Sequence, residues 1–172
     1  MAKLQDIIQW CDQTLKSTEF KDYAPNGLQI EGKTEVRKIL AAVTASQDAI
    51  DAAIRENADL LLVHHGYFWK GEAYPITGMR GKRIKSLIQH DISLLAYHLP
   101  LDSHPSLGNN AAIADLLKLE RIEALDPSER HPIGNIGYLN QPMPVEEFKK
   151  FVSEKLKFDV THLPADKNMI EK

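Results

Sequence analysis

Two adjacent histidines, His64 and His65, close the apolar run Leu60-Leu61-Leu62-Val63 and are followed at once by Gly66. A second apolar run, Ile92-Ser93-Leu94-Leu95-Ala96-Tyr97, ends in the same way, with His98 and, after the proline of Leu99-Pro100-Leu101, Asp102. Neutral imidazole is a common metal ligand, and two histidines from one strand end with a carboxylate from the next make a nitrogen/oxygen shell suited to Zn, Mn or Fe. Cys11 is the only cysteine, so no intramolecular disulfide and no cysteine-based metal cluster can form. In an extended strand neighbouring side chains point to opposite faces. His64 and His65 therefore clamp one ion only if the backbone turns, which Gly66 would ease, or else serve two ions roughly 3.5–4 Å apart. The plain alternative is that the pair merely ends a strand and hydrogen-bonds locally.

The elements that must carry these residues read as α/β. Short apolar runs bounded by turn signals are core strands, and open α/β sheets place ligand sites at the carboxyl ends of such strands. Residues 36–43 read as a strand, and Thr44 or Ser46 as the cap of a helix through Ile50, Ala53 and Ile54, with the His-His strand next. This is the βαβ unit of a parallel sheet. Residues 4–16 carry Leu4, Ile7, Ile8, Cys11 and Leu15 at helical spacing, with Trp10 off the stripe. Pro25-Asn26-Gly27 is a turn, in which Asn26 reads as a turn residue rather than a site residue. Residues 70–78 read as a loop with Glu72 a solvated carboxylate, and residues 80–90 as an amphipathic helix ending near a surface His90. Asn109 or Asn110 caps a helix over residues 111–117. Residues 120–132 are charged and turn-rich. A strand over 132–139, a helix from Pro144 carrying Phe148, Phe151, Val152 and Leu156, and a strand over 158–163 follow. Residues 167–172 show no cap, repeat or tail signature.

Composition excludes several classes. With 172 residues, one real core is possible. A net charge of −3 and the lack of a long basic run give no general attraction for a phosphate backbone, so nucleic acid is not the expected partner. The N-terminus lacks an apolar secretion core, and no apolar run approaches the roughly 20 residues of a membrane span, so a cytoplasmic protein is expected.

Ala24-Pro25-Asn26-Gly27-Leu28-Gln29, Val43-Thr44-Ala45-Ser46, His64-His65-Gly66-Tyr67-Phe68-Trp69-Lys70-Gly71 and His98-Leu99-Pro100-Leu101-Asp102-Ser103-His104 stand in this order along the chain. Together they resemble the dinuclear-metal toroid family of GTP cyclohydrolase I type 2 homologues, the NGG-interacting-factor-three-like family. The resemblance implies two related α/β halves around two divalent ions (Zn, Fe or Mn), assembled as a homohexameric ring. It implies His64, His65 and Asp102 as metal ligands, with His98 beside the site as an outer partner or acid/base. It implies metal-dependent hydrolysis of a small molecule or nucleotide such as GTP. Family members complete the site with a His and a Glu four residues apart near the C-terminus, and no such pair follows Asp102 here. The expectation is thus a mainly parallel, βαβ-built sheet flanked by helices in a first lobe over residues 1–128, and the truncated start of a second α/β lobe over 129–172. Three ligands alone would hold one metal weakly, and the surface that a completed second half would cover should be apolar.

Two functions fit this reading. In one, a bound ion activates water and His98 shuttles the proton, imidazole being the side chain suited to that near neutral pH. In the other, the ions lock a non-catalytic hexameric ring that serves as a scaffold or binds a protein or a single-stranded nucleic acid.

Overall fold

The computed structural model describes residues 1–165 and 168–172. Lys167, where the end segment begins, lies outside the described residues. The chain divides into two compact units, Met1–Leu101 and Asp102–Lys172. The lobe boundary expected at 128/129 falls inside the second of them.

The elements of the first unit are β1 (Ala2–Lys3), α1 (Leu4–Leu15), β2 (Gly27–Ile30), β3 (Glu35–Val36), β4 (Ile39–Thr44), α2 (Gln47–Arg55), β5 (Leu60–His65), α3 (Gly78–Gln89) and β6 (Ser93–Ala96). The central sheet has the order β2-β6-β5-β4. β4, β5 and β6 are parallel, in the register Leu40↔Leu61 and Leu61↔Leu94, and β2 lies antiparallel on β6. The fold is mixed α/β with a mostly parallel sheet flanked by helices.

Period-two alternation along β5 explains the layering. Leu61 and Val63 pack with Ile50 and Ala53 of α2 and Ile84 and Leu87 of α3. Leu60, together with the partly buried Leu62, packs on the other face with Leu4 and Cys11 of α1, Leu95 and Tyr97. Leu60, Leu61, Leu94 and Leu95 are fully buried, each contributing about 1.5–3 kcal/mol of apolar transfer. The α1 stripe is the one the sequence spacing indicates, and Trp10 is left 64 % exposed. Ser46 caps α2, its Oγ accepting from Ala49 N at 3.2 Å.

The strand expected over 36–43 is broken. Its Arg37 and Lys38 amides donate to Asp59 Oδ2 at 2.9 and 3.2 Å, so they are not available to a ladder. β2 replaces part of what reads as a turn: Gly27, at φ 96°, completes the turn and begins the strand.

α4 (Leu99–Ser103) runs across the division between the units. The second unit then holds α5 (Asn109–Leu116), β7 (Glu120–Ala124), β8 (Asn135–Tyr138), β9 (Met143–Pro144), α6 (Val145–Leu156) and β10 (Met169–Ile170). β7 and β8 pair antiparallel, as do β9 and β10. Residues 120–124, charged and read as part of a turn-rich crossing, are a strand because β8 offers a partner. Residues 158–163 form no strand; it is β10 that pairs with β9. Asn109 and Asn110 do not cap α5, since their amides donate to Asp102 and to the Ile133 carbonyl, and Gly108 stands at the cap. α6 buries none of its residues; Phe148 and Val152 line an apolar groove of about 700 Å³ with Val160, Leu163 and Ile170. Among the described residues no helix is long and apolar enough to cross a membrane.

Candidate functional site

The parallel register of β5 and β6 brings both histidine-bearing ends to one edge of the sheet. There His64, His65 and His98 each offer a ring nitrogen, and the three atoms lie within 4.8 Å of one another. The ring centroids are 4.4 Å apart for His64–His65, 5.0 Å for His64–His98 and 5.7 Å for His65–His98. Although neighbouring strand residues face opposite ways, the pair occupies the last two positions of β5, where both rings can lean over the strand end. Gly66 then lets the chain leave. A Cβ there would stand 2.2 Å from Gln29 Oε1 and 2.7 Å from Ala96 Cβ.

Each imidazole is oriented through Nδ1. His64 Nδ1 is 3.0 Å from the Tyr97 carbonyl, which can only accept, so Nδ1 carries the proton and the lone pair lies on Nε2. His65 Nδ1 is 3.1 Å from Thr44 Oγ1. His98 Nδ1 meets Asp22 Oδ1 at 2.7 Å. This is the outer-partner arrangement that fixes metal-ligating or proton-transferring imidazoles. Three imidazoles with no thiolate among them fit Zn, Fe or Mn, where the sequence reading sets two histidines and Asp102 as the shell and His98 outside it.

Asp22 is the hub of the His98 side. Its carboxylate also accepts from Leu99 N, at the start of α4, and from Asn26 Nδ2, both at 2.9 Å. Asn26 Oδ1 in turn accepts from His98 N at 2.8 Å. Burial pushes the Asp22 carboxyl upward, but the donors His98, Asn26, Leu99 N and Tyr23 N together outweigh it and hold the group below the usual carboxylate range. Asn26, which reads as a turn residue, therefore holds both His98 and its partner carboxylate. No sequence signal singled out Asp22. A carboxylate four residues ahead of Asn26 in a turn-rich segment was its only trace.

Tyr97 links the cluster to α1. Its carbonyl holds His64, while its buried hydroxyl donates to Asp12 Oδ1 at 3.0 Å, and Asp12 also accepts from Ser17 Oγ at 2.6 Å. Burial, with Asp12 and Cys11 alongside, raises the phenol far above its ordinary range, so it stays a donor. Tyr67 does similar work on the other face. Its hydroxyl donates to the Ala45 carbonyl at 2.7 Å and its amide to Gln29 Oε1 at 2.7 Å; burial pushes its pKa up to about 12.

Beyond Tyr67, Phe68 sits at φ 66°, a left-handed conformation that costs a bulky residue about 1–3 kcal/mol. It brings Trp69 beside the cluster, edge-to-face with His98 at a centroid distance of 4.9 Å and tilted to His65 at 6.0 Å. Glu72, exposed in its loop as the sequence suggests, also accepts from Trp69 N at 3.1 Å and pairs with Arg80 at 2.7 Å.

Asp102, the carboxylate named from sequence, opens the second unit. There its Oδ1 accepts from Asn109 Nδ2 at 2.8 Å. His90 is exposed, its Nδ1 2.8 Å from the Ser86 carbonyl within its own helix.

Comparison with known proteins agrees with this architecture. The family model for Duf34/NIF3 (NGG1p interacting factor 3) matches residues 2–172. A "GTP cyclohydrolase 1 type 2 homolog" of Haemophilus influenzae is 51 % identical over 152 residues, which are 88 % of this chain and 60 % of the relative. Among solved structures, protein ybgI, of unknown function, is 45 % identical with a TM-score of 0.84, over 91 % of this chain and 61 % of that one. TTHA1606 from Thermus thermophilus is 30 % identical with a TM-score of 0.86, over 99 % and 68 %. The chain thus spans about 60 % of the length of the first of these relatives.

Proposed function

The chain belongs to the Duf34/NIF3 family, and from that premise we propose that its imidazole cluster is one side of a divalent-metal centre that serves hydrolysis. The observation that carries the reading is the convergence of His64, His65 and His98 within 4.8 Å, with His64 and His98 pinned through Nδ1 to groups that accept from it. His64 and His65 are assigned as ligands on this geometry; Asp102 is proposed as the carboxylate on the family resemblance alone. A divalent ion bound there supplies Lewis acidity that makes water nucleophilic at neutral pH. His98 is the proton acceptor: Asp22 holds its Nδ1–H, leaves Nε2 as the basic atom, and stabilises the imidazolium that forms.

The name carried by the curated relatives points to a purine nucleotide such as GTP, whose ring offers an electron-poor carbon to attack. A pair of ions and a homohexameric ring around them are proposals for the whole protein; this chain spans about 60 % of the length of the Haemophilus influenzae relative. The reading is tested by screening the metal-loaded full-length protein against hydrolase substrates, beside its His98→Ala variant. It expects turnover in the wild type, and metal content kept but turnover lost in the variant. Metal-dependent assembly with no turnover on any substrate would make the ring a scaffold instead.

A further inference from the structure

The groups that orient the three imidazoles through Nδ1 are Tyr97, Thr44 and Asp22. Trp69 is not among them, and its own hydrogen bonds point back into its loop. Its Nε1–H donates to the Gly66 carbonyl at 3.2 Å and its backbone N–H to Glu72 at 3.1 Å. Yet the loop is pinned as firmly as the cluster. Lys70 N donates to the Tyr23 carbonyl at 2.6 Å, and Arg80 bridges Glu72 and the Ala73 and Pro75 carbonyls. Phe68 is held in a conformation its side chain disfavours. A segment so constrained, with an indole set edge-to-face at 78° to His98, tilted 56° to His65 and only partly buried, is built to present that ring.

We infer that Trp69 is the stacking wall of a ligand subsite beside the imidazoles, one that takes a flat aromatic ring by its face. The indole N–H is already spent on Gly66, so the ring offers a π surface and no hydrogen bond. Such a surface selects planarity rather than polarity, and aromatic side chains stack on bases without regard to their edges. The ligand class is a heteroaromatic ring whose face lies on Trp69 while one edge reaches the imidazoles. The inference rests on the cluster being the reactive centre.

The test measures binding of guanosine, and of ribose as the ring-free probe, to the metal-loaded full-length protein by calorimetry, in wild type, Trp69→Phe and Trp69→Leu, with metal content measured in each. The expected result is guanosine binding that Trp69→Phe keeps within about threefold and Trp69→Leu weakens about tenfold or more, no measurable ribose binding, and full metal in all three. Equal guanosine affinity in Trp69→Leu, or ribose binding as well as guanosine, overturns the stacking wall while leaving the metal centre standing. Loss of metal in Trp69→Leu overturns it too, making Trp69 a prop for the imidazoles. A wild type that holds no metal refutes the metal-centre reading instead.

Discussion

Asp22 Oδ1 and His98 Nδ1 are 2.7 Å apart, with the Asp22 side chain only 3 % exposed. The carboxylate sits in the segment before β2 and the imidazole at the end of β6, 76 residues away. The pair fixes the proton on Nδ1 and leaves the Nε2 lone pair facing the cluster. In Asp22→Asn the amide oxygen can still accept from Nδ1–H, but the carboxylate charge beside the ring is gone and the NH2 opposes two donors, Leu99 N and Asn26 Nδ2. We expect turnover about 10–100-fold lower at neutral pH, with KM and metal content near wild type. Steady-state kinetics with metal analysis checks this. A variant that loses metal as well would place His98 among the ligands.

Gly66 is required by space. A methyl there meets Gln29 Oε1 at 2.2 Å and Ala96 Cβ at 2.7 Å, and Gln29 cannot retreat without giving up the Tyr67 amide. Gly66→Ala is expected to cost about 1–3 kcal/mol, read by urea unfolding. It should also displace His65 and lower metal affinity. An unchanged midpoint would show that Gln29 moves freely.

Asp59 supports the opposite end of β5. Its carboxylate takes Lys33 Nζ at 2.9 Å and the amides of Arg37 and Lys38. The Lys33 hydrogen bond foremost, then the Arg37 amide, hold its pKa below the usual range against the effect of burial. A lowered carboxylate pKa stabilises the fold above the unfolded value of about 3.9 and loses that contribution as pH falls through the folded value. Asp59→Asn should therefore be less stable than wild type by about 1–3 kcal/mol at pH 7, with the two unfolding curves converging below about pH 4. A constant gap across that range would contradict the assignment.

Tyr67→Phe removes the hydroxyl that donates to the buried Ala45 carbonyl. The expected cost is about 0.5–1.5 kcal/mol, with metal content unchanged, since Ala45 lies behind Thr44 and not in the cluster. Thermal unfolding beside metal analysis separates the two effects.

The strands that carry the histidines were legible because each is a short apolar run ending abruptly in polar residues, and the βαβ order follows from their spacing. What the sequence hid depends on contacts between distant segments. Asn26 reads as a turn residue and no signal singles out Asp22, because their role exists only once β2 pairs with β6 and brings them to His98. The break in the strand at Arg37 and Lys38 is caused by Asp59, some twenty residues on, and no local propensity announces it. Glu120–Ala124 looks like a loop by composition because its charged residues lie on an exposed two-stranded ribbon, where no core demands apolar alternation. The imidazole triangle was half visible: the histidines were evident, but their closeness depends on two rings leaning over one strand end.

The most direct test of the account is metal stoichiometry by elemental mass spectrometry on full-length wild type, His64→Ala, His65→Ala, Asp102→Ala and His98→Ala, purified alike. The account predicts metal in the wild type, a loss of most of it in the first three variants, and retention in His98→Ala. Full metal in His64→Ala and His65→Ala would contradict it, leaving the cluster a hydrogen-bonded strand end.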